Sequence, residues 1–336
     1  MRADASPQVP KEQWAGLRIV RASSAELLPS NDVRPRWRRL AFAALAFVER
    51  NLSQAGFEIA DRRSTKPTYS VLYEALRPQG RAIVDIQGFR LLIDADTRGV
   101  APKLLLRGIY EPGMTRLLKR LVQRGMLVVD VGAHCGYMTM IAAHGVGASG
   151  LVYALEPAPA MFDLLDRNVR LNGLRNVVAL PYAASSTAGA VSFYLDRRST
   201  TRPSFSAENL REFGSEIRVH TLRLDDVLEG RDCDLLKIDT QGAELLVVDG
   251  ALDTLERSDA IVLCEFWPAG LRNVGSDPNT LLQRFADLGY QFALVDDRSG
   301  RPQTCTRAQV TKMSLTLHRF DQPLLLLLSK TKGSWG

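Results

Sequence analysis

Cysteine is scarce in this chain, and what there is stands apart. Cys135, Cys233, Cys264 and Cys305 form no C-x-x-C pair and have no histidine at metal-ligand spacing. That excludes a zinc ribbon and a disulfide framework, and fits a reduced compartment. Only four histidines occur, and none has a clear claim to be a catalytic base. Long apolar runs are missing too. No stretch approaches the roughly 20 apolar residues of a membrane span, and the run Leu324 to Leu328 is far too short. Met1 to Pro10 lacks the apolar core of a signal peptide, so the expected location is cytoplasmic. An excess of one charge is also lacking: 43 basic against 37 acidic residues leave +6, too little to argue for a nucleic-acid partner.

What is present is ordinary for a globular protein, with 46% hydrophobic and 24% charged residues in 336. The chain is organised around Leu127-Val-Val-Asp-Val-Gly-Ala-His-Cys-Gly136. A short β-branched apolar run ends at Asp130. Gly132 and Gly136 make a turn, and Tyr137 to Ala143 reads as a helix. In open α/β sheets, ligands sit at this carboxyl edge. The two glycines are expected to let the backbone approach a ligand closely. His134 falls where a left-handed backbone is needed, which histidine tolerates better than most residues, so it is read as a turn residue rather than a base. A dinucleotide turn needs three glycines around a pyrophosphate. Here there are two, and a carboxylate opens the loop. Asp130 would repel pyrophosphate and suit a cationic adenosyl ligand.

Along the chain, residues 1–80 are expected to form a partly helical N-terminal extension and residues 81–336 the main domain. Within the extension, Trp37, Leu40, Ala41, Ala44, Leu45 and Val48 share one face of a predicted helix behind an arginine-rich start. Arg81 to Ala95 reads as a hairpin about Gly88. Met114, Leu117, Leu118, Leu121 and Val122 make the stripe of an amphipathic helix. Strands are predicted at Leu151 to Leu155, Asn176 to Leu180, Leu235 to Asp239, Ala260 to Glu265, Gln291 to Val295 and Leu324 to Leu328. The helix from Asp277 to Gly289 has its cap, its N1 proline and its stop. Between Gly189 and Asp226 the pattern weakens, with Val191 to Leu195 and Ile217 to Leu224 as possible strands; Arg197, Arg198 and Arg202 lie between them, a candidate substrate wall or a plain basic loop.

Four acids close predicted strands: Asp130, Glu156, Asp239 and Glu265. In a parallel sheet those ends share one edge, so four acids there point to a site. Glu156 suits a ribose diol, and Pro181 to Ser186, with the Ala183 and Ala184 methyls, suits an adenine. Asp239 and Glu265, on adjacent strands, could take a hydroxyl proton between them. A divalent metal is compatible with two carboxylates but is not predicted. Glu244, one turn into the helix after Asp239, is either a pocket residue or a helix N-terminal acid. Gln241 is a candidate polar contact to a substrate hydroxyl.

The stretches Tyr-Glu-Pro at 110–112, Asp-Val-Gly-Ala-His-Cys-Gly at 130–136, Leu-Glu-Pro at 155–157, Asn-Val-Arg-Leu-Asn at 168–172, Leu-Asp-Asp at 224–226 and Lys-Ile-Asp-Thr-Gln-Gly-Ala-Glu at 237–244 together resemble the FkbM family of S-adenosylmethionine-dependent methyltransferases. The resemblance implies an α/β, Rossmann-like fold: a mostly parallel seven-stranded sheet whose last hairpin is antiparallel. It also implies O-methylation of a hydroxyl on a sugar, glycan or natural product. It gives the cofactor S-adenosylmethionine a binding set of Glu111, Asp130, Gly132, Ala133, His134, Gly136, Tyr137, Glu156, Pro157, Ala183, Ala184 and Asp239. Asp130, Gly132 and Gly136 would hold the methionine end, Glu156 the ribose, and Asp239 would sit beside the reacting methyl. Two positions depart from the family: His134 replaces an asparagine, and Ser186 stands where an acid often follows the third strand.

Two rival readings remain. An NAD-dependent oxidoreductase would need the third glycine and a Tyr-x-x-x-Lys constellation, and neither is present. A non-catalytic nucleoside-binding module would not need acids at the strand ends.

Overall fold

The computed structural model of the chain describes residues 35–54, 66–197, 199–315 and 323–331. Arg198 of the basic stretch and residues 1–34 of the N-terminal extension lie outside the described residues. The chain opens with two helices, Arg36–Gln54 and Lys66–Leu76, followed by a hairpin of β1 (Arg81–Ile86) and β2 (Phe89–Asp94). Its turn residues Gln87 and Gly88 both have positive φ, the backbone twist that suits a two-residue hairpin. Helices Val100–Arg107 and Pro112–Leu121 lead into the sheet strands β3 (Leu127–Val131), β4 (Leu151–Leu155) and β5 (Val177–Leu180). A second group follows: β6 (Ala183–Ala184), β7 (Gly189–Asp196) and β8 (Phe213–Leu222). The chain then returns to the main sheet with β9 (Leu235–Ile238), β10 (Ile261–Phe266), β11 (Gln291–Val295), β12 (Pro302–Cys305) and β13 (Leu324–Ser329).

The main sheet has the order β12-β11-β13-β10-β9-β3-β4-β5. Strands β10, β9, β3, β4 and β5 run parallel, and β13 lies antiparallel between β10 and β11. The seven expected strands are all there, and short β12 adds an eighth at the edge by antiparallel pairing with β11. The chain leaves β3 in one direction for β4 and β5, and later returns on its other side as β9 and β10. The crevice between β3 and β9 is therefore the topological switch point. Apolar side chains on the two faces of the sheet form two buried clusters, one including Leu117, Met140 and Leu165, the other Phe266, Leu271 and Phe285.

Both possible strands of the weakly patterned insert are present, as Gly189–Asp196 and Phe213–Leu222, with Arg197 and Arg202 outside them. Strands β6, β8 and β7 form a separate three-stranded sheet, and its alternation is diluted because most of β8 is exposed. The asparagines of the 168–172 stretch have a structural role. Asn168 Nδ2 donates to the Leu92 carbonyl at 2.9 Å and the Cys135 carbonyl at 2.8 Å, and Asn168 Oδ1 accepts from the Leu92 amide at 2.6 Å. Asn172 does the same for both backbone groups of Arg90. Their helix, Pro159–Leu171, thereby satisfies the edge of β2 and fixes the glycine turn after β3.

Candidate active site

A cavity of about 860 Å³ opens at the carboxyl edge of the parallel strands. On one side it is lined by Gly132, Ala133, His134 and Tyr137, by Glu156 and Pro157 after β4, and by Ala183 and Ala184 of β6. His134 has φ 53° and is left-handed, as read from the sequence. Its ring nitrogens are buried without a partner, and burial, against the opposing pull of the Asp239 charge, lowers its pKa to about 4. It is a neutral wall. Glu156 is buried, and its two oxygens accept from the His134 and Ala158 amides at 2.8 Å each. Burial outweighs those amides and raises its pKa to about 7. Each oxygen keeps a second lone pair for a ligand hydroxyl.

Three expectations need correcting. Asp130 does not line the cavity. Strand β3 runs one residue further than predicted, to Val131, so Asp130 is an interior strand residue. Its oxygens are taken by Lys237 Nζ at 3.0 Å and Thr139 Oγ1 at 2.6 Å. The glycines are required by backbone packing as well, although Gly132 does line the cavity. A Cβ on Gly132 would run into the Asp239 carbonyl oxygen, and one on Gly136 would meet Leu165 Cδ1. Glu244 is fully buried away from the cavity. Its Oε1 accepts from the Gly242 amide at 2.9 Å and from Thr240 at 3.2 Å, holding the turn after β9. The helix-terminal reading of Glu244 is the one the geometry fits. Burial raises its pKa to about 7.

The other side of the cavity gathers Glu111, Asp239, Gln241 and Glu265. One oxygen from each of the three acids lies within 4.8 Å of the others. Gln241 Nε2 donates to Asp239 Oδ1 at 2.9 Å and to Glu265 Oε2 at 2.5 Å. Burial pushes Asp239 upward, but Lys237, Glu265 and Gln241 more than offset it and hold the carboxyl below its ordinary range. Glu265 goes the other way. Burial and then the Asp239 charge raise it well above its ordinary range, and burial with Asp239 raises Glu111 to about 7. Those directions favour a proton on Glu265 and a charge on Asp239. Such spacing could also take a divalent cation, at the expense of that proton.

Two residues escaped the sequence reading. Lys237 is buried in the middle of β9, with Asp130 Oδ1 at 3.0 Å and Asp239 Oδ2 at 3.8 Å. Burial opposes its charge, yet the two carboxylates hold it above the ordinary lysine range. The signal was a lone lysine inside an apolar strand, since a buried ammonium needs a partner. Asn209 is buried in the insert. Its Nδ2 donates to the Gln241 carbonyl at 2.9 Å and the Gly270 carbonyl at 3.2 Å, and Ser204 Oγ donates to the same Gln241 carbonyl at 2.8 Å. The insert thus grips the turn that carries Gln241, whose φ of 54° is left-handed. No local pattern in the sequence announces that contact.

A doubly wound sheet with its cavity at the β3–β9 switch, an acid after β4 and acids on β9 and β10 defines a Rossmann-like α/β protein of the methyltransferase type. The profile described as the methyltransferase FkbM domain matches residues 130–292. Methyltransferase sdnD of Sordaria araneosa is 32% identical over 177 residues, 43% of this chain and 68% of that protein. A protein-L-isoaspartate O-methyltransferase of Methanothrix thermoacetophila is 37% identical over 71 residues, 20% of this chain and 34% of the relative. The chain therefore spans about a third of that relative. The crystal structure of methyltransferase FkbM from Methylobacillus flagellatus KT has 14% identity and a TM-score of 0.39, over 86% of this chain and 58% of that one. The chain belongs to the FkbM methyltransferase family.

Proposed function

We propose that the protein is an S-adenosylmethionine-dependent O-methyltransferase acting on a hydroxyl of a sugar, glycan or natural-product acceptor. The observation that carries this reading is the pair of carboxyls, Asp239 and Glu265, bridged by Gln241 Nε2 on the cavity wall. The donor side also fits the cofactor. It offers a glycine turn, a buried carboxylate with free lone pairs at Glu156, and small apolar walls at Pro157, Ala183 and Ala184.

When bound, S-adenosylmethionine supplies an electrophilic methyl group. The chain's own residues supply position and a proton acceptor. Gln241 and Glu265 would orient the acceptor hydroxyl, and Asp239 would take its proton as that oxygen displaces the methyl group from the donor sulfur, which departs as the neutral thioether. Glu265 keeps its own proton, so the pair never carries two adjacent charges. Positioning supplies much of the acceleration in such a displacement, and the base adds to it. An oxygen acceptor is also supported by the relatives named as O-methyltransferases.

The deciding experiment incubates the protein with methyl-labelled cofactor and a panel of glycans and small alcohols. The expected result is a product one methyl group heavier, with the label on oxygen. Label recovered only on nitrogen or carbon overturns the assignment.

A further inference from the structure

Beside the acidic trio, the acceptor side of the cavity carries a cation that forms no ion pair among the described residues. Arg202 lines the cavity, and its guanidinium lies 5.4 Å over the Trp267 ring. Its Nη1 is buried with no hydrogen-bond partner among the described residues. Burial, and then the charge of neighbouring Arg211, pull its pKa below the ordinary arginine range. Nearby Asp196 acts in the opposite sense, but neither it nor Glu265 forms an ion pair with Arg202 among the described residues. Arg211 lines the same wall, as does Thr200.

A buried N–H with no acceptor costs stability, and two facing cations add to that cost. An oxyanion removes both penalties at once. A guanidinium is the side chain best shaped for one, since its planar fork can meet two oxygens together. The Trp267 face fixes that plane in advance. We propose that the acceptor carries an oxyanion, a carboxylate or a phosphate, and that Arg202, stacked on Trp267 and assisted by Arg211, seats it while the acceptor hydroxyl faces Asp239. This rests on the methyltransferase reading above. It narrows the acceptor from any hydroxyl compound to an acidic one, such as a uronate or a sugar phosphate. The donor's own carboxylate has the same chemistry, so the test must tell the two sources apart.

The full chain is first saturated with S-adenosylhomocysteine by isothermal titration. Glucuronate, glucose 6-phosphate and glucose are then each followed by saturation-transfer NMR. The expected result is that at least one anion binds about tenfold or more tightly than glucose. Arg202→Gln should abolish that preference and leave S-adenosylhomocysteine affinity within about twofold. Arg202→Lys, which keeps the charge and loses the fork, should retain part of it. Arg218→Gln, at an exposed arginine on β8 outside the cavity, should change nothing. The proposal is overturned if neither anion is preferred, if Arg218→Gln weakens the anions as much, or if Arg202→Gln loses S-adenosylhomocysteine, which would make the donor's carboxylate the ligand. Failure to load S-adenosylhomocysteine in the unaltered protein would instead sink the methyltransferase reading. The anion preference could still be measured without it.

Discussion

Asp239 and Glu265 end neighbouring parallel strands, and Gln241 Nε2 bridges them at 2.9 and 2.5 Å. The division of labour follows from what lies behind each. Asp239 has buried Lys237 at its back, whereas Glu265 has burial and a facing negative charge. One acid is therefore ready to accept a proton and the other is not.

Asp239→Asn keeps the shape and removes the proton acceptor. Turnover is expected to fall by about 10²–10⁴-fold, the usual worth of a general base, with cofactor affinity within a few-fold of the parent. Single-turnover methyl transfer and isothermal titration measure the two quantities separately. Near-normal turnover would remove Asp239 from the mechanism.

Lys237→Met leaves Asp130 buried with only Thr139 as a partner. Breaking a buried pair from one side costs about 3–5 kcal/mol, readable in urea unfolding. Adding Asp130→Leu should recover a large part of that loss, because the stranded charge goes with it. The single variant should also move the acid limb of the pH–rate profile to higher pH, since Asp239 loses the cation that holds it down. A profile that stays put would mean Lys237 does not tune Asp239.

Gly132→Ala and Gly136→Ala separate two kinds of close approach. At Gly132 the new methyl meets the Asp239 backbone carbonyl on a φ of +76°, while at Gly136 it meets the tip of the Leu165 side chain on a φ of +88°. The left-handed backbone costs each variant about 1–2 kcal/mol. Only Gly132→Ala must also move the residue that carries the base. A larger loss of both melting temperature and activity for Gly132→Ala than for Gly136→Ala is expected from melting curves and initial rates.

Glu244 gives a pH signature. Its folded pKa of about 7 stands above the ordinary 4.5, so the folded state holds the extra proton between those values. The stability this contributes is complete below about pH 4.5 and is lost as pH rises to 7. His134, lowered from 6.5 to about 4, slopes the opposite way between those values, so the raw curve mixes both. The difference between the parent and Glu244→Gln isolates the glutamate. Relative to the variant, the parent should lose melting temperature steadily from pH 5 to pH 7 and then level off. A constant difference would refute the assigned shift.

Much of this was legible in the chain because local patterns and tertiary roles agreed. The β-branched runs of the central strands, the cap and proline at Asp277-Pro278, and the acids at Glu156, Asp239 and Glu265 all signal locally what they do. Asp130 misled because a one-residue change in where β3 stops turns a rim carboxylate into an interior one. The glycine turn has the expected left-handed backbone at His134, but what the missing Cβ atoms avoid belongs to Asp239 and Leu165, distant in sequence. Glu111 was read with the cofactor-binding set, yet the fold brings it to Asp239 and Glu265, and only the packed chain could show that. Lys237 has Asp239 two residues on, but its closer partner Asp130 and the Gln241 carbonyl that Asn209 holds are each more than 30 residues away, beyond any local window.

The two halves of the cavity are built from separable pieces of chain. The cofactor half comes from consecutive βα units of the large sheet. Much of the opposite wall comes from an excursion whose two ends, Asp196 and Phe213, already sit side by side as register partners. A segment anchored at adjacent points can be exchanged for another of different length and charge without disturbing the frame that holds it. In this architecture a change of clientele requires rewriting one short hairpin crown, provided the replacement keeps an asparagine able to grasp the Gln241 carbonyl.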